Sequence, residues 1–296
     1  MYEEFFQLKE KPFELVPNPD FLYLSGTHKK AVVYMDYGLS EKAGFILLTG
    51  EVGSGKTTLI RNFIKKLNGT ATLSKVFNTK VNAEQLISMI NEDFGIDSAG
   101  KGKVQLLKEL YTFLIKEYEK GHHALLVIDE AQNFTPELLE EVRMLSNLET
   151  DDAKLLQIIL VGQPELRSVL SLPELRQLRQ RISIACHLSP LTREETEEYI
   201  FHRLEVAGNR NAVTISPEAM NALYVYSKGI PRLVNVLCNF LMLTAFTEQT
   251  REVTVDMVHD IAGGVGLAIQ SEMTGDAAER KKTFLRDRGM PAKTAE

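Results

Sequence analysis

Apolar and polar positions change rhythm along this chain. Between residues 28 and 190, short unbroken apolar runs alternate with stretches of helical periodicity. The runs are FILLT (45–49), ALLVID (124–129) and LLQIILVG (155–162), while the more mixed ATLSKVF (71–77) and RISIACHL (181–188) read as further strands. Runs of this length suit strands buried on both faces. Between them lie amphipathic segments. Residues 28–42 carry Ala31, Val32, Met35 and Leu39 at helical spacing. Helices are also expected over 57–67, over 82–95 ending at Gly95, and over 103–120 closing at Gly121. In 135–149, Thr135 stands as N-cap and Pro136 takes the first helical position. A short helix is expected around Pro173–Gln180. Strands separated by helices need crossovers, so the pattern predicts an α/β fold with a five-stranded, mainly parallel sheet covered on both faces.

From Leu191 onward the strands stop. TREETEEYIFHRLEVAG (192–208) opens on a capping box, Thr192 with Glu195. SPEAMNALYVYSKG (216–229) starts on Ser-Pro and ends on glycine, Pro231 opens a helix to about 247, and 254–264 forms a fourth. This predicts a small all-helical domain over 191–265. Residues 1–27 are rich in aromatics and prolines, among them Phe5, Phe6, Pro12, Phe13, Pro17, Pro19, Phe21 and Tyr23. Proline at that density blocks a long helix, and the aromatics need burial, so the segment is expected to pack on a core. The chain thus divides into 1–27, an α/β domain over 28–190, the helical domain, and a polar tail over 266–296 expected to be flexible.

Two segments carry chemistry. GEVGSGKT (50–57) matches G-x-x-x-x-G-K-[ST] and stands between a strand and a helix, the context that motif requires. Glycines let such a loop turn sharply and bring backbone N–H groups against phosphate oxygens, and the helix N-terminus adds partial positive charge. Gly50, Glu51, Val52, Gly53, Ser54, Gly55, Lys56, Thr57 and Thr58 are therefore the expected contacts to a triphosphate. Lys56 meets the β- and γ-phosphates, and the Thr57 hydroxyl coordinates Mg²⁺. ALLVIDE (124–130) delivers Asp129 to the C-terminal edge of a buried strand, where ligands of parallel sheets sit. Asp129 is expected to hold Mg²⁺ through water. Glu130 is expected to orient and deprotonate the attacking water. The expected cofactors are ATP and Mg²⁺, and the acid pair favours hydrolysis over passive binding.

Composition narrows the partners. The formal net charge is -6, which argues against a broadly basic nucleic-acid surface. Cys186 and Cys238 lie inside apolar runs and read as buried free thiols in a reducing compartment. No CxxC or HExxH spacing predicts a structural metal. No apolar run approaches the roughly 20 residues needed to span a bilayer, and the acidic, aromatic start lacks a signal peptide's basic and apolar regions. A cytoplasmic protein is the expectation.

Six segments together resemble the AAA+ ATPases, and most closely the ExeA or general secretion pathway protein A family. They are YEEFFQLKEKPFELVPNPDFLYLS (2–25), LLTGEVGSGKTTL (47–59), LLVIDEAQNF (125–134), ILVGQPEL (159–166), LRQRI (178–182) and GIPRLVN (229–235), in family order over residues 2–262. The resemblance implies the AAA+ form of the P-loop NTPase fold, with the helical domain as a lid. It places Gln163 at the sensor-1 position, where many AAA+ proteins carry Asn, Thr or Ser. It makes Arg181 the arginine finger presented to a neighbouring subunit, with Arg179 and Arg176 as competitors. It makes Arg232 sensor 2, and likens Asn78 to the residue that restrains the catalytic glutamate. The N-terminal aromatics are expected to border the adenine. The resemblance further implies a homo-oligomeric ring, such as a hexamer, that assembles or remodels bacterial envelope machinery of the type II secretion kind. Family members often add a membrane helix and a peptidoglycan-binding region. The expectation here is action from the cytoplasm, peripheral to the inner membrane through partners, without direct insertion. The alternative is an ATP-gated DNA-binding regulator of the transposition or origin-recognition type, whose sequences share the GxPR lid feature.

Overall fold

The computed structural model describes residues 1–67, 69, 71–77, 81–150 and 153–270. Its centre is a parallel five-stranded sheet of β1 (Phe45–Gly50), β2 (Ala71–Val76), β3 (His123–Ile128), β4 (Leu156–Gly162) and β5 (Ile182–Leu188), in spatial order β2-β3-β4-β1-β5. The three inner strands β1, β3 and β4 are buried at every position but His123. The edge strands β2 and β5 alternate. The reason is coverage. Each inner strand has a neighbour on both sides and helices on both faces, so no position meets water.

Successive side chains of one strand enter different cores. Phe45 and Leu47 of β1, with Leu126, Ile128, Ile158 and Leu160, pack under helices Ala83–Asp93, Lys103–Glu119 and Pro136–Leu145. Ile46 and Leu48, with Leu125, Val127, Ile159 and Val161, pack under helices Gly26–Ser40 and Lys56–Lys66. Cys186 is buried in this second cluster, and Cys238 in the cluster of the C-terminal helices. Burial pushes the Cys186 thiol up to about 11 and the Cys238 thiol up to about 12.

The C-terminal helices are Arg193–Val206, Pro217–Ser227, Pro231–Thr247 and Val255–Gln270. The Thr192–Glu195 capping box forms in full, as does a second one at Asn82 and Gln85. Three features escaped the sequence pattern. A two-stranded parallel ribbon, Thr214–Ile215 with Glu252–Val253, is too short to show a period. Helix Glu165–Leu170, directly after Pro164, is 6 residues long and too short to show a period. The last helix continues past 264 to Gln270, because its glycines weaken a helix without an accompanying proline to stop it. Residues 271–296, the greater part of the expected flexible tail, and Asn78 lie outside the described residues.

The N-terminal segment packs on the C-terminal helices rather than on the sheet. Tyr2, Phe6, Leu8, Phe13 and Phe21 share a buried cluster with Tyr199, Ile200, Leu204, Leu237 and Leu241. Both sheet faces are already covered, so the remaining apolar surface is the helical one. Hydrogen bonds to the segment's main chain fix the docking: Lys9 N–H donates to Ala207 O at 2.8 Å, and the Asn209 side-chain Nδ2 donates to Phe6 O at 2.8 Å. Farther on, the Arg61 guanidinium donates to Pro17 O at 2.9 Å. The segment therefore joins the C-terminal helices to the helix that begins at Lys56.

Candidate nucleotide site

The C-terminal edge of the sheet gathers the sequence candidates from three strands. After β1 the chain crosses to the far edge at β2, and after β4 it goes the other way to β5. That reversal leaves a crevice beyond the strand ends, the usual ligand position in such sheets.

Residues 51–55 form the loop beyond β1. Gly53 and Gly55 are left-handed, with φ of 79° and 96°. A Cβ on Gly53 would also stand 2.4 Å from Arg232 Cβ, so glycine is needed there twice over. Gly55 caps the helix Lys56–Lys66, whose first N–H groups face the crevice. Lys56 is buried, and its Nζ donates to Gly50 O at 2.8 Å and Glu51 O at 2.9 Å. Burial pulls its pKa down, against the opposing pull of Glu130 and Asp129. Ser54 Oγ is buried without a hydrogen-bond partner.

Asp129 follows β3 directly. Its Oδ2 accepts from Thr57 Oγ1 at 3.3 Å and its Oδ1 from Glu130 N–H at 2.9 Å. Burial raises its pKa, and Glu130 adds to the rise. Glu130 has φ 52° and ψ 37°, a left-handed conformation uncommon outside glycine. Its Oε2 accepts from Gln132 Nε2 at 2.6 Å and Gln163 Nε2 at 3.2 Å.

These residues fit a Mg²⁺-bound triphosphate. A hydroxyl and a desolvated carboxylate meet at Thr57 and Asp129, a buried ammonium turns onto its own loop's carbonyls, and a buried serine hydroxyl waits beside it. Among the described residues no group of three or more His, Cys, Asp or Glu side chains could hold a metal. Mg²⁺ suits such a place, because it uses one or two protein oxygens and takes the rest from phosphate and water.

A cavity of about 230 Å³ opens from the loop toward the C-terminal helices. Val52–Thr58, Glu130 and Arg232 line it, as do Leu15, Val16, Phe21 and Tyr23 of the N-terminal segment. Arg232 N–H donates to Gly53 O at 3.2 Å, so the GxPR turn touches the phosphate loop through its backbone. A second cavity, about 220 Å³, lies at the other end of the sheet around Lys42, Tyr118 and Gln157, away from every predicted residue.

The structure does not bring the three arginines to this crevice. Arg181 precedes β5, whose far end pairs with Gly50, so roughly 20 Å of strand separates it from the loop. Its guanidinium donates to Ser146 Oγ at 2.6 Å. Arg179 donates to Leu170 O at 3.0 Å, and Arg176 is exposed. Sequence reasoning missed His28. It is buried, with Nδ1 2.7 Å from Ser25 Oγ and Nε2 3.2 Å from Ser54 O. Burial lowers its pKa, which leaves a neutral ring as a fixed strut beneath the phosphate loop. No local sequence signal marks a histidine 26 residues upstream as a loop support.

Residues 39–170 match the family model described as AAA domain. The fold is of the P-loop AAA type. Its similarity to general secretion pathway protein A of Aeromonas hydrophila is 39% identity over 254 residues, covering 86% of this chain and 46% of that protein. The chain therefore spans about half the length of that curated relative. Among solved structures, the AAA-type fold is shared with the ORC2 protein of Aeropyrum pernix, solved as ADPNP-ADP complexes, at 20% identity and TM-score 0.63 over 86% of this chain and 71% of that one. It is shared also with Cdc6p of Pyrobaculum aerophilum, at 18% identity and TM-score 0.64 over 83% and 70%. Among the described residues no helix is long and apolar enough to cross a membrane.

Proposed function

We propose that this chain binds ATP with Mg²⁺ and hydrolyses it to ADP and phosphate, and that it works as an oligomer on a protein partner. The observation that carries this reading is the meeting of Lys56 and Thr57 with Asp129 and Glu130 beyond the ends of β1 and β3, the two strands that flank β4, from segments 72 residues apart at the Thr57–Asp129 contact. On this reading Lys56 leaves its carbonyl partners for the β- and γ-phosphates, and the loop N–H groups hold the phosphate oxygens. Thr57 and Asp129 would hold Mg²⁺, which neutralises charge on those oxygens when bound. Glu130 takes a proton from water as its oxygen bonds to the γ-phosphorus. The bond from that phosphorus to the ADP oxygen breaks, and ADP carries the electron pair away.

Arg232 reaches the site from the helical domain and would couple that domain's angle to the phosphates. Arg181 is too far from its own loop to act there, which supports a role toward a neighbouring subunit. The similarity to general secretion pathway protein A supports a partner in envelope machinery and a peripheral place at the inner membrane. The DNA-regulator reading rests on fold likeness alone. DNA binding that needs ATP and weakens steeply with salt would replace the envelope reading.

Phosphate release tests the enzyme reading. Glu130→Gln should retain ATP binding and cut turnover by roughly 10²–10⁴, the usual worth of a positioned base. Wild-type turnover in that variant removes Glu130 from its role. Arg181→Ala mixed with Lys56→Ala should regain activity that neither has alone. No regain at any ratio counts against a shared site.

A further inference from the structure

We propose that Gln132 is a positioning residue for hydrolysis, a side-chain bridge that clamps the Glu130 carboxylate to the tip of β4. The inference rests on reading Glu130 as the base. Gln132 Nε2 donates to Glu130 Oε2 at 2.6 Å, and its Oε1 accepts from Gln163 N–H at 3.0 Å. The two ends of the amide thus meet opposite needs. A carboxylate requires a donor and a backbone N–H requires an acceptor, so a flipped amide would lose both bonds and only one orientation works.

Three further features fit the clamp. Gln163 Nε2 donates to the same Glu130 oxygen at 3.2 Å, so both amides hold Oε2. Oε1 has no hydrogen-bond partner among the described residues and is the oxygen left to meet water. Gly162, the last residue of β4, leaves room for both the bridge and Leu166, since a Cβ there would stand 2.7 Å from Gln132 Oε1 and 2.7 Å from Leu166 Cδ2. Between the two side chains, Ala131 is fully buried in the core under β3 and β4, which anchors the turn carrying them. A glutamate has three rotatable bonds. Without the clamp its carboxylate would sample orientations that do not face the γ-phosphate, and a misplaced base loses rate before it loses binding.

The test is Gln132→Glu. It keeps the shape and the acceptor for Gln163 N–H but removes the donor and sets a like charge beside Glu130. Steady-state hydrolysis should show kcat lower by about tenfold or more, a share of the 10²–10⁴ a base supplies. The ATP dissociation constant, read with a fluorescent ATP analogue, should stay within about twofold, since the phosphate grip is untouched. In a Glu130→Gln background the same change should add no further loss. Full kcat in Gln132→Glu, with Glu130→Gln inactive, overturns the clamp and leaves the base reading standing. Additive losses in the Glu130→Gln background also overturn it. Full turnover in Glu130→Gln overturns the base reading and the clamp together.

Discussion

Two acids stand at opposite ends of β3. Glu117, on the helix leading into the strand, is 6% exposed, and Asp129, just after the strand, is 8% exposed. Their ionisation moves in opposite directions. Lys120 donates to Glu117 Oε1 at 2.7 Å, Thr72 to its Oε2 at 2.6 Å, and His122 Nδ1 lies 2.9 Å from Oε2. Those partners, Lys120 foremost, lower the Glu117 pKa to about 2. Asp129 has a hydroxyl and its neighbour's N–H, the Glu130 charge repels it, and burial drives its pKa up. Similar solvent exposure therefore goes with opposite ionisation, set by the partners each carboxylate has. At the base of the sheet a carboxylate is neutralised by its own chain and serves stability. At the tip one is left short of positive charge, which a cation would supply. Electrostatic frustration of this kind points to a binding site more sharply than burial does.

The largest effect that can sharpen this contrast is on turnover. Asp129→Asn should cut Mg²⁺-dependent hydrolysis by about 10²-fold or more, since a metal supplies several kcal/mol of transition-state stabilisation. Glu117→Gln should leave hydrolysis within about twofold, because its partners are all at the other end of the strand. Loss of activity in both would break the division of labour.

The next effect is on stability, measured as Tm in the absence of nucleotide. Glu117→Gln should lower Tm at pH 7 by about 3–6 °C, corresponding to roughly 1–2 kcal/mol of charged hydrogen bonds discounted for the exposed Lys120. Because its folded pKa lies below the unfolded value of 4.5, that stability is complete above pH 4.5 and disappears as pH falls toward about 2. The Tm difference from wild type should vanish over that interval.

The smallest effect has the opposite sign. Asp129 has a folded pKa above its unfolded value of 3.8, so its contribution favours folding below pH 3.8 and is lost as pH rises through the folded value. At pH 7 the ionised group is a liability in the free protein. Asp129→Asn should raise the nucleotide-free Tm by about 1–3 °C at pH 7 and leave it unchanged in acid. A fall in Tm at pH 7 would mean the carboxylate is structurally satisfied and not kept for a ligand.

The sequence displayed these two ends unequally. Strands, helices and capping boxes were legible because each is a local pattern: FILLT and ALLVID are continuous apolar runs, and Thr192 and Glu195 stand three residues apart. The phosphate loop was legible for the same reason, since Gly50 to Thr57 lies within eight residues of chain. The Glu117 cluster was not, because Thr72 reaches it across 45 residues through strand register. His28 under Ser54 and Gln132 between Glu130 and Gln163 were hidden likewise. Each is an ordinary polar residue locally and acquires a partner only when the sheet brings the strand ends together. The aromatics of residues 1–27 announced burial but not its place, which depended on which apolar face the sheet left over.

The most direct test of the account is calorimetric titration of the purified chain with ATP, with Mg²⁺ and then with the metal chelated. The account predicts saturable binding near one ATP per chain with Mg²⁺, at least about tenfold weaker without it, and absent in Lys56→Ala. Wild-type protein that shows no saturable heat with Mg²⁺ and ATP, or Lys56→Ala that binds as tightly as wild type, would contradict it.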